Sequence, residues 1–428
     1  MAPEVRAARE ACGMTWTPRP IDPEELPEIL DLLAAGFGVG PTSPPAHQAE
    51  VTAVAEVDRT IAITDEGRIV ATAAAHSLHL ALPGGAVPMA GVTEIVVSPT
   101  HRRRGLLSAL LDALHDQAVD RGEPLAGLTA SEGAIYRRFG YGVAARFQSV
   151  RVDARRSAEI DALDPAHDLA EVGARFRLVT EDEAAPLLPA VWDRHWRRIP
   201  GEIDRTPGFW DEARLDPDHA REGASARYIV VHDDDTGRPD GYVTYRIAQG
   251  WGAGGTNHEG RILEVAAASD AIEAALVRFV LDIDLVGAVT WNAPVDIPLR
   301  WRLADPRALT VEAERDLLWL HPLDVAACLA ARRYATTGVL VIEVVDTRGS
   351  AGGTFLLDGG PDGAACARTE RTADVAVTIA DLGSLLVGGT TWSTLRRAGR
   401  LQVTDVAAVD RADALFRPER AAYCATEF

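Results

Sequence analysis

The sequence predicts a mixed α/β fold, turning to α+β toward its end, built in three successive parts. Three observations carry that prediction. Residues 1–153 alternate helical and strand periodicities, residues 154–304 run through the same order again, and from residue 305 onward helices and strands are segregated. At 428 residues the chain also exceeds what one ordinary hydrophobic core encloses, so several domains are expected.

In the first part, residues 24–35 form an amphipathic helical pattern, and residues 60–63, 69–75 and 92–97 read as strands. The last of these runs into VVSPTHRRRGLL (residues 96–107), a strand-to-helix junction with an arginine cluster and a glycine. A helix N-terminus offers free backbone N–H groups and the positive end of the helix dipole. Arg102, Arg103 and Arg104 add planar donors that match phosphate oxygens, and Gly105 lets the backbone approach an anion without a Cβ in the way. A strand before the cluster and a helix after it favour a pyrophosphate cradle over a solvated basic loop. Leu106, Leu107, Leu110, Leu111 and Leu114 recur at helical spacing, with Asp112, His115 and Asp116 expected on the wet face. A strand at residues 125–129 completes the unit.

An acidic, alanine-rich stretch near residues 153–177 suggests a domain boundary. The second part then has a helix near 183–198, strands at 227–231 and 241–247 joined by the turn HDDDTGRPDG, and a strand at 261–266 feeding a helix that begins near Asp270. Where the first part has PTHRRRGLL, this one has ASDAIEAAL. Asp270 and Glu273 read as a capping box that satisfies the helix N-terminus internally, and two carboxylates there would repel a pyrophosphate. The second part is thus expected to be a degenerate copy used as scaffold. Trp192 and Trp196, four apart in WDRHWRR, point to core packing rather than base stacking, and the acids from Asp233 to Asp235 read as a turn rather than a calcium loop. The third part has a helix at 323–334, strands at 339–345, 354–357 and 375–379, hairpin turns at GSAGGT and DGGPDG, and helices to the end.

A formal net charge of −20 argues against a nucleic-acid surface and favours attraction of cationic small molecules. No apolar run of ~18 residues is present to span a bilayer, so no membrane partner is expected, and no secretory pattern opens the chain, which makes the cytoplasm the expected location. Cys12, Cys328, Cys366 and Cys424 are scattered without metal-ligand spacing, and His76 and His79 fall on opposite faces of a strand, so no metal is expected.

VSPTHRRRGLL is followed by ASEGAIYRRFGYG (residues 130–142), and the chain ends in Glu427 and Phe428. Together with the degenerate second unit and a sterol-carrier-like third part, these residues resemble the Eis (enhanced intracellular survival) N-acetyltransferases of the GNAT superfamily. The second motif is the more specific, since PTHRRRG is shared by many acetyltransferases. The resemblance implies a tripartite fold: two GNAT-like units, residues 1–153 and 154–304, and a sterol-carrier-like domain, 305–428, in a homo-hexamer. It implies acetyl transfer from acetyl-CoA to an amine of a cationic small molecule such as an aminoglycoside. Acetylation of a protein lysine or N-terminus is an alternative, and a non-catalytic lipid or sterol carrier is a further one.

Carried over residue by residue, the resemblance places the pantetheine arm on the backbone of Ile95, Val96 and Val97. It places the pyrophosphate on Arg103, Arg104, Gly105, Leu106, Leu107 and Ser108, with Ser131 and Glu132 on the cofactor further along. Tyr136 falls on the general acid, and Phe428 on the residue whose terminal carboxylate is the general base, with Glu427 beside it in the substrate pocket. Two departures matter. Glu94 stands where the family often has an aromatic residue, making the pocket more acidic and providing a rival base, and Leu107 replaces the small residue that ends the superfamily's RxxGxG/A pattern.

The assigned roles make physical sense with one complication. A tyrosine with a reference pKa of ~10 stays protonated at neutral pH and can donate toward a thiolate whose acid form lies near ~8.5, stabilising developing charge. An α-carboxylate with a reference pKa of ~3.5 is a poor base toward an ammonium near ~10.4, so it is better suited to orienting the amine and relaying its proton through water.

Overall fold

A computed structural model describes residues 16–156, 175–252, 255–349 and 351–428; Cys12 and most of the acidic stretch between the first two parts lie outside them. The chain divides into two compact units, one collecting Met1–Ala145, Ile199–Glu212 and Asp316–Phe428, the other Arg146–Arg198 and Ala213–Arg315.

The first unit is built on a sheet that orders β1 (Arg19–Pro20), β2 (Ile61–Asp65), β3 (Arg68–Leu82), β4 (Gly85–Val97) and β5 (Leu125–Thr129), then the strands Leu318–Pro322 and Gly142–Val143. β1 to β4 are antiparallel; β4 and β5 are parallel and joined by the crossover helix Leu106–Asp120, as parallel pairing requires. The predicted leucine stripe faces the sheet: Leu110, Leu111 and Leu114 are fully buried against Ile61, Ile63, Val92 and Leu128. Truncating Leu110 or Leu114 to alanine belongs to the class of change costing ~2–5 kcal/mol.

His115 departs from expectation. Its ring lies tilted against His321, with centroids 4.8 Å apart, and its Nε2 lies 2.8 Å from the hydroxyl of Tyr141, so it leaves the wet face and joins a buried ring cluster. Burial pushes its imidazole well below the ordinary range, and the neighbouring His321 and Arg348 add to that. The helix Pro45–Val54 was not legible because none of its residues is buried, which leaves no apolar stripe to read.

The same unit holds a second sheet ordered Gly363–Arg368, Gly353–Gly360, Gly338–Val345, Val375–Thr378 and Gln402–Val403. The DGGPDG turn joins Gly353–Gly360 to Gly363–Arg368, and the latter strand is not among those the sequence pattern predicts. The helix expected at 323–334 is shorter, Val325–Ala330. Helix Ile379–Leu386 packs on the edge of the first sheet so closely that a Cβ at Gly142 would sit 1.7 Å from the Ala380 carbonyl oxygen. That contact explains a glycine in FGYG.

The second unit carries one seven-stranded sheet ordered Leu309–Asp316, Arg146–Asp153, Val286–Pro294, His258–Ala267, Pro239–Ala248, Tyr228–Asp233 and Phe176–Val179. Its parallel pair, His258–Ala267 with Val286–Pro294, is joined by helix Asp270–Leu281, repeating the connection of the first sheet. The helix expected over 183–198 is two, Glu181–Ala184 and Leu188–Trp196, because Pro186 interrupts it. Trp192 and Trp196 are core residues. The N-cap of Asp270–Leu281 is Ser269, whose hydroxyl accepts from the Ile272 N–H; the expected Asp270–Glu273 box is displaced because Asp270 already has helical backbone. Among the described residues no helix is long and apolar enough to cross a membrane.

Candidate active site

β4 and β5 pair only from Met89↔Leu125 to Gly91↔Gly127. Beyond Gly91, β4 stays with β3 as far as Val97, while β5 is paired on its other side with Leu318–Pro322. The two parallel strands therefore let go of each other, and the β4 edge at Ile95, Val96 and Val97 is left without a strand partner on that side among the described residues. Such an edge can hydrogen-bond an extended ligand arm as a further strand would.

β4 also carries an extra residue here. Thr72 faces Val96 while Ala74 faces Thr93, and Glu94 takes a left-handed φ of 53°. Left-handed backbone at a non-glycine residue costs on the order of 1–3 kcal/mol and is held only by its surroundings. The Glu94 side chain has no hydrogen-bond or ion-pair partner among the described residues, and burial pushes its carboxyl up to about 7.

At the end of β4 the chain turns through Pro99–His101 into the arginine cluster. The loop is pinned by Trp16, whose Nε1 donates to the Arg104 carbonyl at 3.0 Å, and by His101, whose Nε2 lies 3.0 Å from Asp65. Arg103 adopts a φ of 64° and Gly105 a φ of 91°, a left-handed step that glycine takes without strain. Helix Leu106–Asp120 has no side-chain cap, and its first turn leaves the N–H groups of Leu106, Leu107 and Ser108 without intrahelical acceptors. Arg102, Arg103 and Arg104 are exposed and carry no ion pair among the described residues. Strand edge, bare helix terminus and unpaired guanidinium groups thus follow one another along the chain, which fits a pantetheine arm ending in a pyrophosphate.

The candidate reacting residues come from three places in the sequence. β5 ends at Thr129, whose hydroxyl donates to the backbone oxygen of Phe428 at 3.0 Å. The Phe428 ring lies over the last paired residue of β4, so that a Cβ on Gly91 would sit 3.1 Å from it. Phe428 therefore sits where β4 and β5 begin to separate. Ser131 and Glu132 follow β5 as an exposed loop, with Glu132 as N-cap of the one-turn helix Gly133–Tyr136. Tyr136 is 8% exposed and packs edge-on to Tyr141 at 6.1 Å. Burial, and then Glu132, raise its phenol above the ordinary value, keeping it protonated at neutral pH. Glu427 is exposed.

Thr129 is the residue that sequence reasoning missed. A polar residue closing an otherwise apolar strand, LAGLT, was its only signal.

An acetyltransferase (GNAT) domain family matches residues 17–144, a second GNAT acetyltransferase domain family matches residues 201–318, and a sterol carrier protein domain family matches residues 325–425. The protein is thus an N-acetyltransferase of GNAT type with a sterol-carrier-like C-terminal domain. The N-acetyltransferase Eis of Mycobacterium bovis is 34% identical over 416 residues, covering 95% of this chain and 98% of its own length. An uncharacterized N-acetyltransferase of Streptomyces griseus is 34% identical over 427 residues, covering 97% and 100% respectively. The crystal structure of Eis1 from Mycobacterium abscessus superposes with a TM-score of 0.84 at 33% identity, covering 96% of this chain and 100% of that one. The chain belongs to the Eis family of N-acetyltransferases.

Proposed function

We propose that this enzyme transfers acetyl from acetyl-CoA to an amine of a cationic, multi-amine small molecule such as an aminoglycoside. The observation that carries the reading is the Phe428 carboxylate, held by Thr129 at the point where β4 and β5 separate, with Glu94 three residues beyond Gly91 on the same strand. Anionic groups at the end of an acyl-CoA slot suit an ammonium. An acidic chain, at −20, steers such cations toward it.

In this reading Ile95, Val96 and Val97 hold the pantetheine arm, and the loop from Arg103 to Ser108 holds the pyrophosphate. The Phe428 carboxylate, already accepting from Thr129, orients the amine. Glu94 takes its proton, because a carboxyl near 7 is better matched to that task than an ordinary one. Tyr136 donates toward the departing thiolate. We also propose, from the resemblance, that the chains assemble as a homo-hexamer.

Adding residues after Phe428 is expected to abolish turnover while leaving acetyl-CoA affinity nearly intact; full activity from the extended protein overturns the carboxylate's role. Thiol release from acetyl-CoA with aminoglycosides compared with lysine peptides tests the acceptor. Faster turnover of the peptides would assign the enzyme to protein amines instead.

A further inference from the structure

Residues 199–205, IPGEIDR, come from the middle of the sequence yet belong to the unit that holds the site. They run beside β3: Gly201 N–H donates to the Ala81 carbonyl at 2.8 Å, Ala81 N–H to the Glu202 carbonyl at 2.8 Å, and Asp204 N–H to the His79 carbonyl at 3.1 Å. Ile203 faces Leu80. The segment is therefore fixed to the sheet as an additional edge.

Within it, Glu202 has no exposed surface. A carboxylate taken fully out of water is costly unless donors surround it. Here the donors come from the C-terminal tail: Ala425 N–H at 2.7 Å, the Thr426 hydroxyl at 3.3 Å and the Cys424 thiol at 3.5 Å, with Ile203 N–H at 3.1 Å. Arg205 Nε donates to the same Thr426 hydroxyl at 2.9 Å, and Tyr423 N–H donates to the Pro200 carbonyl at 2.9 Å. Four successive tail residues are thus anchored on one segment, although chain ends ordinarily fray. Phe428 follows two residues later, with its carboxylate on Thr129.

We propose that Glu202 is a positioning residue, a buried clamp that holds the C-terminal tail and thereby places the Phe428 carboxylate at the mouth of the β4/β5 slot. This rests on the reading that the Phe428 carboxylate serves the amine. The clamp acts through backbone N–H and hydroxyl donors, so it fixes the tail's path rather than touching substrate.

The test uses Glu202→Ala and Glu202→Gln in the full chain, with two readouts. One is kcat and KM for acetyl-CoA with kanamycin as the acceptor; the other is amide hydrogen exchange of the peptide spanning residues 420–428. Glu202→Ala is expected to speed tail exchange by about tenfold or more and to lower kcat by about ten- to a hundredfold, with KM for acetyl-CoA within about twofold. Glu202→Gln keeps an acceptor for Ala425 N–H and should recover most of both. In a chain lacking Phe428, Glu202→Ala should bring no further loss of kcat. Unchanged tail exchange, or a loosened tail with unchanged kcat, overturns the clamp. If deleting Phe428 leaves kcat intact, or kanamycin releases no thiol, the functional reading fails instead, and tail exchange still decides whether Glu202 holds the tail. Should Glu202→Ala not fold, Thr426→Val, which removes one link of the clamp, carries the same comparison.

Discussion

The two GNAT units share a plan and differ in chemistry. Each places an extra residue in the strand that precedes its crossover helix, near Glu94 in one and at Leu263 in the other. Each has a parallel pair that separates partway, after Gly91↔Gly127 in the first and after Ile262↔Trp291 in the second. Each follows its last parallel strand with a one-turn helix, Gly133–Tyr136 or Leu299–Arg302. The differences lie at the strand and helix ends. Gly105 leaves the first crossover helix uncapped behind three exposed arginines, whereas Ser269 caps the second and Asp270 and Glu273 make its first turn acidic. Topology alone therefore does not separate the two termini; in the proposed function the bare, cationic one holds the pyrophosphate.

The largest expected effect tests the one-turn helices. Tyr136→Phe brings the first closer to the second, which has no hydroxyl, and should lower kcat on the order of a hundredfold with acetyl-CoA affinity unchanged. Normal turnover would show that another group is the acid. Next comes the loop. Arg103→Ala with Arg104→Ala should weaken acetyl-CoA binding roughly ten- to a hundredfold, since each charge-assisted hydrogen bond is worth about 1.5–3 kcal/mol before solvent screening. Titration calorimetry should also find one acetyl-CoA per chain. Two would break the distinction between the units.

The bulges supply a third, pH-dependent test. Glu94 is raised from 4.5 to about 7 in the folded state. Turnover that needs its carboxylate should fall as pH drops through about 7, and Glu94→Gln should remove that limb while lowering the plateau. The stability effect has a definite sign. Between 4.5 and 7 the unfolded chain ionises this group while the folded chain keeps it neutral, so stability declines over that window and then levels off. Glu94→Gln should therefore be more stable than the parent above pH 7, by about 3 kcal/mol, and no different near pH 4. Equal stability at both pH values would show that Glu94 is well solvated.

Most of this plan was legible because periodicity reports buried faces. The leucine stripe after Gly105 and the strand Leu125–Thr129 read correctly, each being apolar on the face that packs. The strand-to-helix junction that carries the arginine cluster was legible because the periodicity changes across it. Features made by tertiary contact were not. His115 looked solvated because the rings that bury it, Tyr141 and His321, come from distant parts of the chain. The expected boundaries put residues 199–205 in the second part, because sequence order says nothing about an excursion to another sheet. Thr129 and Glu202 each look like an isolated polar residue until the tail is placed against them.

The smallest effect bears on why the second unit keeps a capped helix. Ser269 accepts from Ile272 N–H at 3.3 Å, a long bond, while Asp270 and Glu273 already favour the dipole's positive end. Ser269→Ala should therefore cost ~1 kcal/mol or less of stability, the lower part of the range for N-cap removal. Acetyl-CoA affinity and kcat should stay as they were, because this terminus binds no cofactor in the present reading. A drop in cofactor affinity from this substitution, with stability preserved, would mean that the second helix terminus does more than support its own sheet.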